Sequence, residues 1–323
     1  MDDMVIGLAE LRDTDADRVG AKVATLAGLT AAGLAVPTGF VITGAVYEQL
    51  VAEGPIGADL QQLYLEALAT DDRTTQFALL CSRMQNLVRE LVIESPVREA
   101  ILAAYRQLGP DSPVAVRPSP IGAEAARPSV AALTPSRIGV TGPAALLAAV
   151  IESWASQFSG AVLARRAGRD TPPHRHPAMA VLVQTMVQTR VSGVAFTADP
   201  ATGRRDRVVI DAVPGPSAAL TRADARPDTY IFDTDGPTLL RIRPWPAVPA
   251  ETVAVERDAG ILSSQDATAV AELALAVSAR LGGAPQDVEW AFDENRLWLL
   301  RARPITLLPD RAHRTAASEG VTI

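Results

Sequence analysis

Asp287-Val288-Glu289-Trp290-Ala291-Phe292-Asp293-Glu294-Asn295-Arg296-Leu297-Trp298-Leu299-Leu300-Arg301-Ala302-Arg303 is the stretch whose reading decides this chain. Asp287–Phe292 and Leu297–Arg303 are strand-prone by alternation, and the four polar residues between them read as a turn, so the pattern predicts an antiparallel hairpin. With a side-chain period of two, Asp287 and Glu289 share one face of the first strand, and Arg301 and Arg303 share one face of the second. Two readings of that face stay open. Carboxylates at this spacing hold Mg²⁺ through oxygen ligands, and arginines neutralise phosphate charge. The same four residues also make a cross-strand ladder of salt bridges on a solvated face, worth little to stability.

Upstream, the texture changes twice. The first third reads helical: Lys22 to Ala32 with Gly33 as a C-terminal stop, then Leu60–Leu68, Thr75–Val92 and Val97–Leu108, each with apolar residues three and four apart. Phe40-Val41-Ile42 is a short β-prone run, and Thr43 is placed to cap a helix after it. The cluster Gly109-Pro110-Asp111-Ser112-Pro113 marks a turn, beyond which Val114-Ala115-Val116-Arg117 reads as a strand ending in a cation. Residues 118–142 show no period and read as a long loop or a pair of strands. A helix is expected from Pro143 to Gly168, followed by a polar connector to Pro177. Met179–Val187, Val191–Thr197, Arg207–Val213 and Thr229–Phe232 read as strands, and Gln265–Leu281 as the last helix. The expected organisation is an N-terminal lobe over 1–182, a C-terminal lobe over 183–308 and a frayed tail over 309–323.

Bulk properties narrow the classes. The chain has 323 residues and a formal net charge of −7, which gives no support to a nucleic-acid surface or an anionic-membrane patch. One cysteine, Cys81, excludes an intrachain disulfide and a multi-cysteine metal site. The start, Met1-Asp2-Asp3-Met4, has no basic segment of the signal-peptide kind, and no uninterrupted apolar run approaches the roughly 20 residues that span a bilayer. A cytoplasmic protein is the expectation.

Lys22 is the only lysine among 30 basic residues. A background that uses arginine wherever either cation serves leaves one ammonium, in Val19-Gly20-Ala21-Lys22, at the start of a helix. An ammonium is a compact point charge that fits among phosphate oxygens, whereas a guanidinium is a broad planar fork. Lys22 is therefore either a phosphate ligand or a chance surface lysine, and composition does not choose between them.

Order along the chain does choose. Gly20-x-Lys22 with Val36-Pro37-x-Gly39-Phe40 resembles the opening of the nucleotide-binding domain shared by phosphoenolpyruvate synthase, pyruvate phosphate dikinase and rifampin phosphotransferase. Further matches follow in family order: Val114-Ala115-Val116-Arg117 with Ser119; Trp154-Ala155-Ser156; Val181-x-Val183-Gln184-x-Met186-Val187; Ser192-Gly193-Val194-Ala195-Phe196-Thr197 with Asp199-Pro200-x-Thr202-Gly203; Pro227-Asp228-x-Tyr230; Gln286-Asp287-x-Glu289-Trp290-Ala291; and Arg301-Ala302-Arg303-Pro304-Ile305-Thr306. Each piece alone is weak, but together they run from Gly20 to Thr306.

The resemblance implies an α+β, ATP-grasp fold, two lobes with a nucleotide cleft between them, and ATP and Mg²⁺ as cofactors. It implies that Lys22, Arg117 and Arg303 carry the charge work of phosphoryl transfer. The nucleotide-contacting set it suggests is Lys22, Arg117, Ser136, Gln184, Met186, Asp287, Glu289 and Arg303, with Asp287 and Glu289 also the metal ligands. In the family ATP phosphorylates a histidine on a swivelling domain. None of His174, His176 and His313 lies in a Thr-x-His-Ala context, so the acceptor is expected on a separate phosphohistidine-domain protein. His174-Arg175-His176 alternates on an extended connector, to be read as a metal pair or as a solvated linker. Ser119, Ser129 and Ser136 have no histidine near in sequence and do not suggest a nucleophilic triad.

The departures point to a second function, a degenerate pseudoenzyme serving as a regulatory or scaffolding partner. Where the family reads Arg-Ser-Ser-Ala-Thr-x-Glu-Asp, this chain has Arg117-Pro118-Ser119-Pro120-Ile121-Gly122-Ala123-Glu124, and two prolines remove N–H donors. The glycine of the phosphate-covering loop becomes Ala132. Gly-Leu-Gly-Glu becomes Gly215-Pro216-Ser217-Ala218, losing a carboxylate, and the usual Gln before Ala-Arg-Pro is Arg301.

Overall fold

The computed structural model describes residues 4–122, 133–167, 175–216, 227–234, 238–243, 260–306 and 308–309. In chain order the elements are β1 (Val5–Gly7), α1 (Ala16–Val19), α2 (Ala21–Ala31), β2 (Gly39–Ile42), α3 (Gly44–Tyr47), α4 (Gly57–Ala69), α5 (Thr75–Arg89), α6 (Val97–Gln107), β3 (Val114–Pro120), β4 (Arg137–Val140), α7 (Pro143–Ser156), α8 (Gly160–Ala167), β5 (Met179–Thr185), β6 (Val191–Phe196), β7 (Arg207–Pro214), β8 (Asp228–Asp233), β9 (Leu239–Arg243), α9 (Ser264–Arg280), β10 (Gln286–Phe292) and β11 (Leu297–Pro304). The α+β class follows directly, because helices and antiparallel sheets fill separate stretches of the chain. The chain divides into two compact units, Met1–Gly33 with Pro37–Met186, and Leu34–Val36 with Val187–Ile323.

The first unit is built on a five-stranded antiparallel sheet of order β1-β2-β5-β3-β4. Its core joins apolar residues of α4, α5, α6 and α7 to the sheet, with Leu60, Met84, Ile101, Trp154, Val116 and Val181 all fully buried. Burial of each such side chain stabilises by roughly 1.5–3 kcal/mol. Thr74 opens α5 by accepting a hydrogen bond from the Phe77 N–H at 3.2 Å.

Several sequence expectations change here. β3 runs on through Pro118-Ser119-Pro120, paired with β5 all the way, although prolines usually end a strand. β4 pairs β3 only as far as Val116, so the prolines fall where β3 has lost that neighbour and tolerate their missing N–H. The expected helix 143–168 breaks into α7 and α8 at 157–159. β5 crosses position 182/183 unbroken and pairs with β2 and β3 through Gln184, so the boundary expected there falls between Met186 and Val187 instead. β1, β4 and β9 are too short for a periodic signal to show.

The stretch Pro143–Ala167 is, by length and composition alone, apolar enough to cross a bilayer. A search for uninterrupted apolar runs passes over it because Glu152 breaks the run. Leu146, Val150, Trp154, Phe158 and Leu163 from this stretch are fully buried in the core of the first unit, as in a core helix.

The second unit is a six-stranded antiparallel sheet of order β11-β10-β6-β7-β8-β9. One face, with Tyr230, Ile210, Ala195, Val288 and Trp290 fully buried, packs on α9, which offers Ala267, Val270, Ala271, Ala274 and Val277. Tyr230 fixes that side: its hydroxyl accepts the Leu262 N–H at 2.8 Å, just before the Ser263 cap of α9. The other face carries the row Thr229, Asp211, Val194, Glu289 and Arg301, in directly paired positions across five strands. The Asp293 carboxylate closes the predicted hairpin, accepting the Asn295 and Arg296 N–H groups at 2.8 Å each and the Trp298 indole N–H at 2.7 Å.

Candidate functional site

In the first unit, the residues that resemble a phosphate site are held by one buried contact. The Ser119 hydroxyl on β3 donates to the Val19 carbonyl at 2.7 Å, across a sequence gap of 100 residues. Between Val19 and α2 stands Gly20, with φ +80°, a value that L-residues rarely adopt. A Cβ there would meet the Pro120 carbonyl oxygen at 2.6 Å. The backbone before Lys22 thus lies directly on the strand that carries Arg117. Lys22, second residue of α2, and Arg117 are both half-buried. A cation in the first turn of a helix opposes the helix field, whereas an anion there is favoured by it.

The end of β5 accounts for two more expected residues. Gln184 is buried, and its Nε2 donates to the Pro37 carbonyl at 3.0 Å, so its side chain ties β5 to the Val36-Pro37-x-Gly39 turn. Met186 is half-buried, and its N–H donates to the Pro113 carbonyl at 3.0 Å. Both residues therefore shape the strand end, Gln184 through its amide and Met186 through its N–H. Ser136 is exposed, one residue ahead of the edge strand β4.

In the second unit the predicted hairpin is present, and a bulge between Glu289 and Trp290 shifts the pairing so that Asp287 stands opposite Arg303 and Glu289 opposite Arg301. Arg303 Nε donates to Asp287 Oδ2 at 2.6 Å, and Arg301 Nη1 reaches Glu289 Oε1 at 2.8 Å. Burial pushes the Asp287 carboxyl above the usual carboxylate range, with the Arg303 guanidinium opposing that shift. Sequence reasoning missed Asp211, which stands two strands from Glu289 in the same row and accepts the Thr229 hydroxyl at 2.7 Å. Burial raises its carboxyl as well. The signal for it was a lone acid inside the apolar run Val208-Val209-Ile210-Asp211-Ala212-Val213.

The Mg²⁺ implied by the resemblance can be tested on this donor set. Mg²⁺ wants near-octahedral oxygen ligands, often one or two carboxylates beside phosphate oxygens. Here each candidate carboxylate already faces a guanidinium, and no group of three or more His, Cys, Asp or Glu residues able to hold a metal occurs among the described residues. As folded, the pair does not fit a dedicated metal site. The altered phosphate-covering loop with Ser129 and Ala132, the lost carboxylate at Ala218, His174 and His313 lie outside the described residues.

His176 departs from both readings of its connector. It is buried rather than solvated, and its Nδ1 pairs with the Tyr47 hydroxyl at 2.8 Å. Ser119 likewise serves as a tie to Val19. Other motif residues hold backbone. Asp199 accepts the Ala201 N–H at 2.8 Å and the Thr202 hydroxyl at 2.6 Å, Asp228 accepts the Ile261 N–H at 2.7 Å, and the Trp154 indole donates to the Met179 carbonyl at 3.2 Å.

The chain matches the family described as pyruvate phosphate dikinase, AMP/ATP-binding domain, over residues 16–320. Rifampicin phosphotransferase of Streptomyces sviceus is 30% identical over 316 residues, covering 94% of this chain and 36% of that protein. The probable phosphoenolpyruvate synthase of Methanothermobacter thermautotrophicus is 28% identical over 322 residues, 95% of this chain and 46% of that one. Phosphoenolpyruvate synthase of Aeropyrum pernix is 28% identical over 355 residues, with 94% and 42% covered. This chain therefore spans less than half the length of each of these three relatives.

Proposed function

The chain belongs to the pyruvate phosphate dikinase AMP/ATP-binding domain family, and on that premise we propose that it binds ATP on an ATP-grasp scaffold and supplies phosphoryl groups to a histidine on a separate partner. In this reading it acts in the cytoplasm, where ATP is supplied. Lys22 and Arg117 draw in the phosphates, the end of β5 at Gln184 and Met186 borders the adenine, and Asp287 and Glu289 border the ribose and phosphates. Arg303 stabilises charge on the group in transit. Catalysis of this kind rests on positioning and charge stabilisation rather than acid–base work. The observation that carries the reading is the Ser119–Val19 tie, which holds the start of Lys22's helix against the strand of Arg117.

Calorimetry with ATP, ADP and AMP tests it. Binding should weaken about tenfold or more in Lys22→Ala, roughly 1.4 kcal/mol, and similarly in Arg117→Ala. Unchanged affinity in both variants would remove the phosphate role. Release of AMP from ATP, in the presence of a phosphohistidine-domain protein, then tests transfer.

A second reading, a nucleotide-binding pseudoenzyme, is favoured by Pro118 and Pro120. Their place in β3 leaves fewer N–H donors beside Arg117 for a transition state. Tight ATP binding without AMP release, with any partner, is its signature.

A further inference from the structure

We infer that Arg301 takes the place of a divalent cation, so that this chain binds the polyphosphate of its nucleotide without a metal. The inference rests on the nucleotide-binding reading above and departs from it only in what faces the phosphates.

The argument starts from register. Glu289 stands opposite Arg301 and Asp287 opposite Arg303, all four on the sheet face away from α9. Two carboxylates and two guanidiniums sum to no net charge, so the hairpin holds no excess negative charge to attract a cation. One oxygen of each acid is also engaged. Asp287 Oδ2 accepts from both Nε and Nη2 of Arg303, and only 9% of the Asp287 side chain is exposed. Glu289 Oε1 has Arg301 Nη1 at 2.8 Å. A metal would have to sit beside a guanidinium at each acid, and among the described residues no third acid or histidine joins them.

The cations themselves remain reachable. The Arg301 and Arg303 side chains are 35% and 46% exposed. Arg301 comes nearest Glu289 at Nη1, and a guanidinium with five N–H donors offers more than one carboxylate takes up, which leaves donors for an anion. The planar fork suits phosphate in a bidentate way and cannot lose its proton. A neutral side chain at 301 would leave Glu289 with an unopposed charge, beside which a phosphate needs a metal to screen the repulsion. Arginine there removes that need. The ligand class is a nucleoside polyphosphate in its metal-free form.

Two measurements test this separately. The first is ATP affinity in EDTA and in excess Mg²⁺, for the natural chain and for Arg301→Gln. The natural chain should bind about equally in both, within about twofold. Arg301→Gln should lose about tenfold in EDTA and recover with Mg²⁺. Affinity in the natural chain that rises tenfold with Mg²⁺ overturns the inference. The second uses Mn²⁺ alone, followed by electron paramagnetic resonance without nucleotide. The natural chain should leave Mn²⁺ free, and Arg301→Gln should bind it. A bound Mn²⁺ in the natural chain that disappears in Glu289→Gln overturns the inference on its own. Failure of ATP to bind in either medium would instead defeat the nucleotide-binding reading, and the Mn²⁺ result would still decide the character of the hairpin.

Discussion

Gly20 lies flat on Ser119. The Ser119 hydroxyl reaches past it to the Val19 carbonyl at 2.7 Å, and a Cβ on Gly20 would collide with both the Ser119 hydroxyl and the Pro120 carbonyl. The glycine of Gly20-x-Lys22 thus works as a spacer that lets a helix start against a strand. Gly20→Ala combines a φ of +80° with that overlap, so the first unit should lose about 2–3 kcal/mol. Ser119→Ala should lose about 1 kcal/mol, the net value of one buried hydrogen bond. Urea unfolding reads both, and ATP affinity should fall in each variant because the start of α2 shifts relative to Arg117. A Gly20→Ala chain of natural stability and affinity would show that the close approach is not required.

Gly193 plays the matching part in the second unit. It stands opposite Trp290 across β6 and β10, and a Cβ would collide with the Asp211 carbonyl and come 2.9 Å from Trp290 Cε2. Trp290 is fully buried under α9 and has no room to retreat. Gly193→Ala should therefore cost about 1–3 kcal/mol, as overpacking does. Differential scanning calorimetry should show the loss. A pair of variants, Gly193→Ala with and without Trp290→Phe, should show partial rescue in the double mutant, because the smaller ring yields space.

The hairpin was legible because alternation over Asp287–Arg303 is long and its turn is polar, and the long helices α5 and α9 were legible from apolar spacing. β1 and β9 were not, since three to five residues carry too little period to separate from loop. Pro118 and Pro120 hid the second half of β3, because a proline normally marks a strand's end and only the early departure of β4 makes room for two. The site residues divide along the same line. Alternation put Asp287 with Glu289 and Arg301 with Arg303, whereas the bulge between Glu289 and Trp290 that sets the two pairs opposite one another left no local signal. The tie from Ser119 to Val19 spans 100 residues, and no local pattern announces such a contact. Gln184 matched its motif yet turns its amide to Pro37, a choice made by burial rather than by sequence order.

Cys81 offers a probe of native packing. It lies buried in α5, and burial pushes its thiol up to about 11. Near pH 8 only about one molecule in a thousand then carries the reactive thiolate, against roughly a quarter for an ordinary thiol with a pKa of about 8.5. Ellman's reagent should label the native chain about a hundredfold more slowly than the urea-unfolded chain. Equal rates would mean that α5 opens readily.

His176 makes the first unit sensitive to acid. Its Nδ1 is hydrogen-bonded to the Tyr47 hydroxyl at 2.8 Å. The ring sits edge-on to Tyr47, Tyr64 and Phe158. Burial, together with the charges of Arg166 and Arg175, lowers its pKa from 6.5 to about 4. The unfolded chain therefore takes up a proton as pH falls through about 6.5, while the folded chain resists until about 4. Stability from the neutral ring is complete above 6.5 and declines across that window. Between pH 7.5 and 5 the loss should be about 2 kcal/mol, at about 1.4 kcal/mol per pH unit below 6.5. His176→Gln keeps a hydrogen-bonding partner for Tyr47 but cannot titrate, so its urea midpoint should fall less over the same interval. Equal losses in the two proteins would show that the imidazole is free to take up its proton in the folded chain.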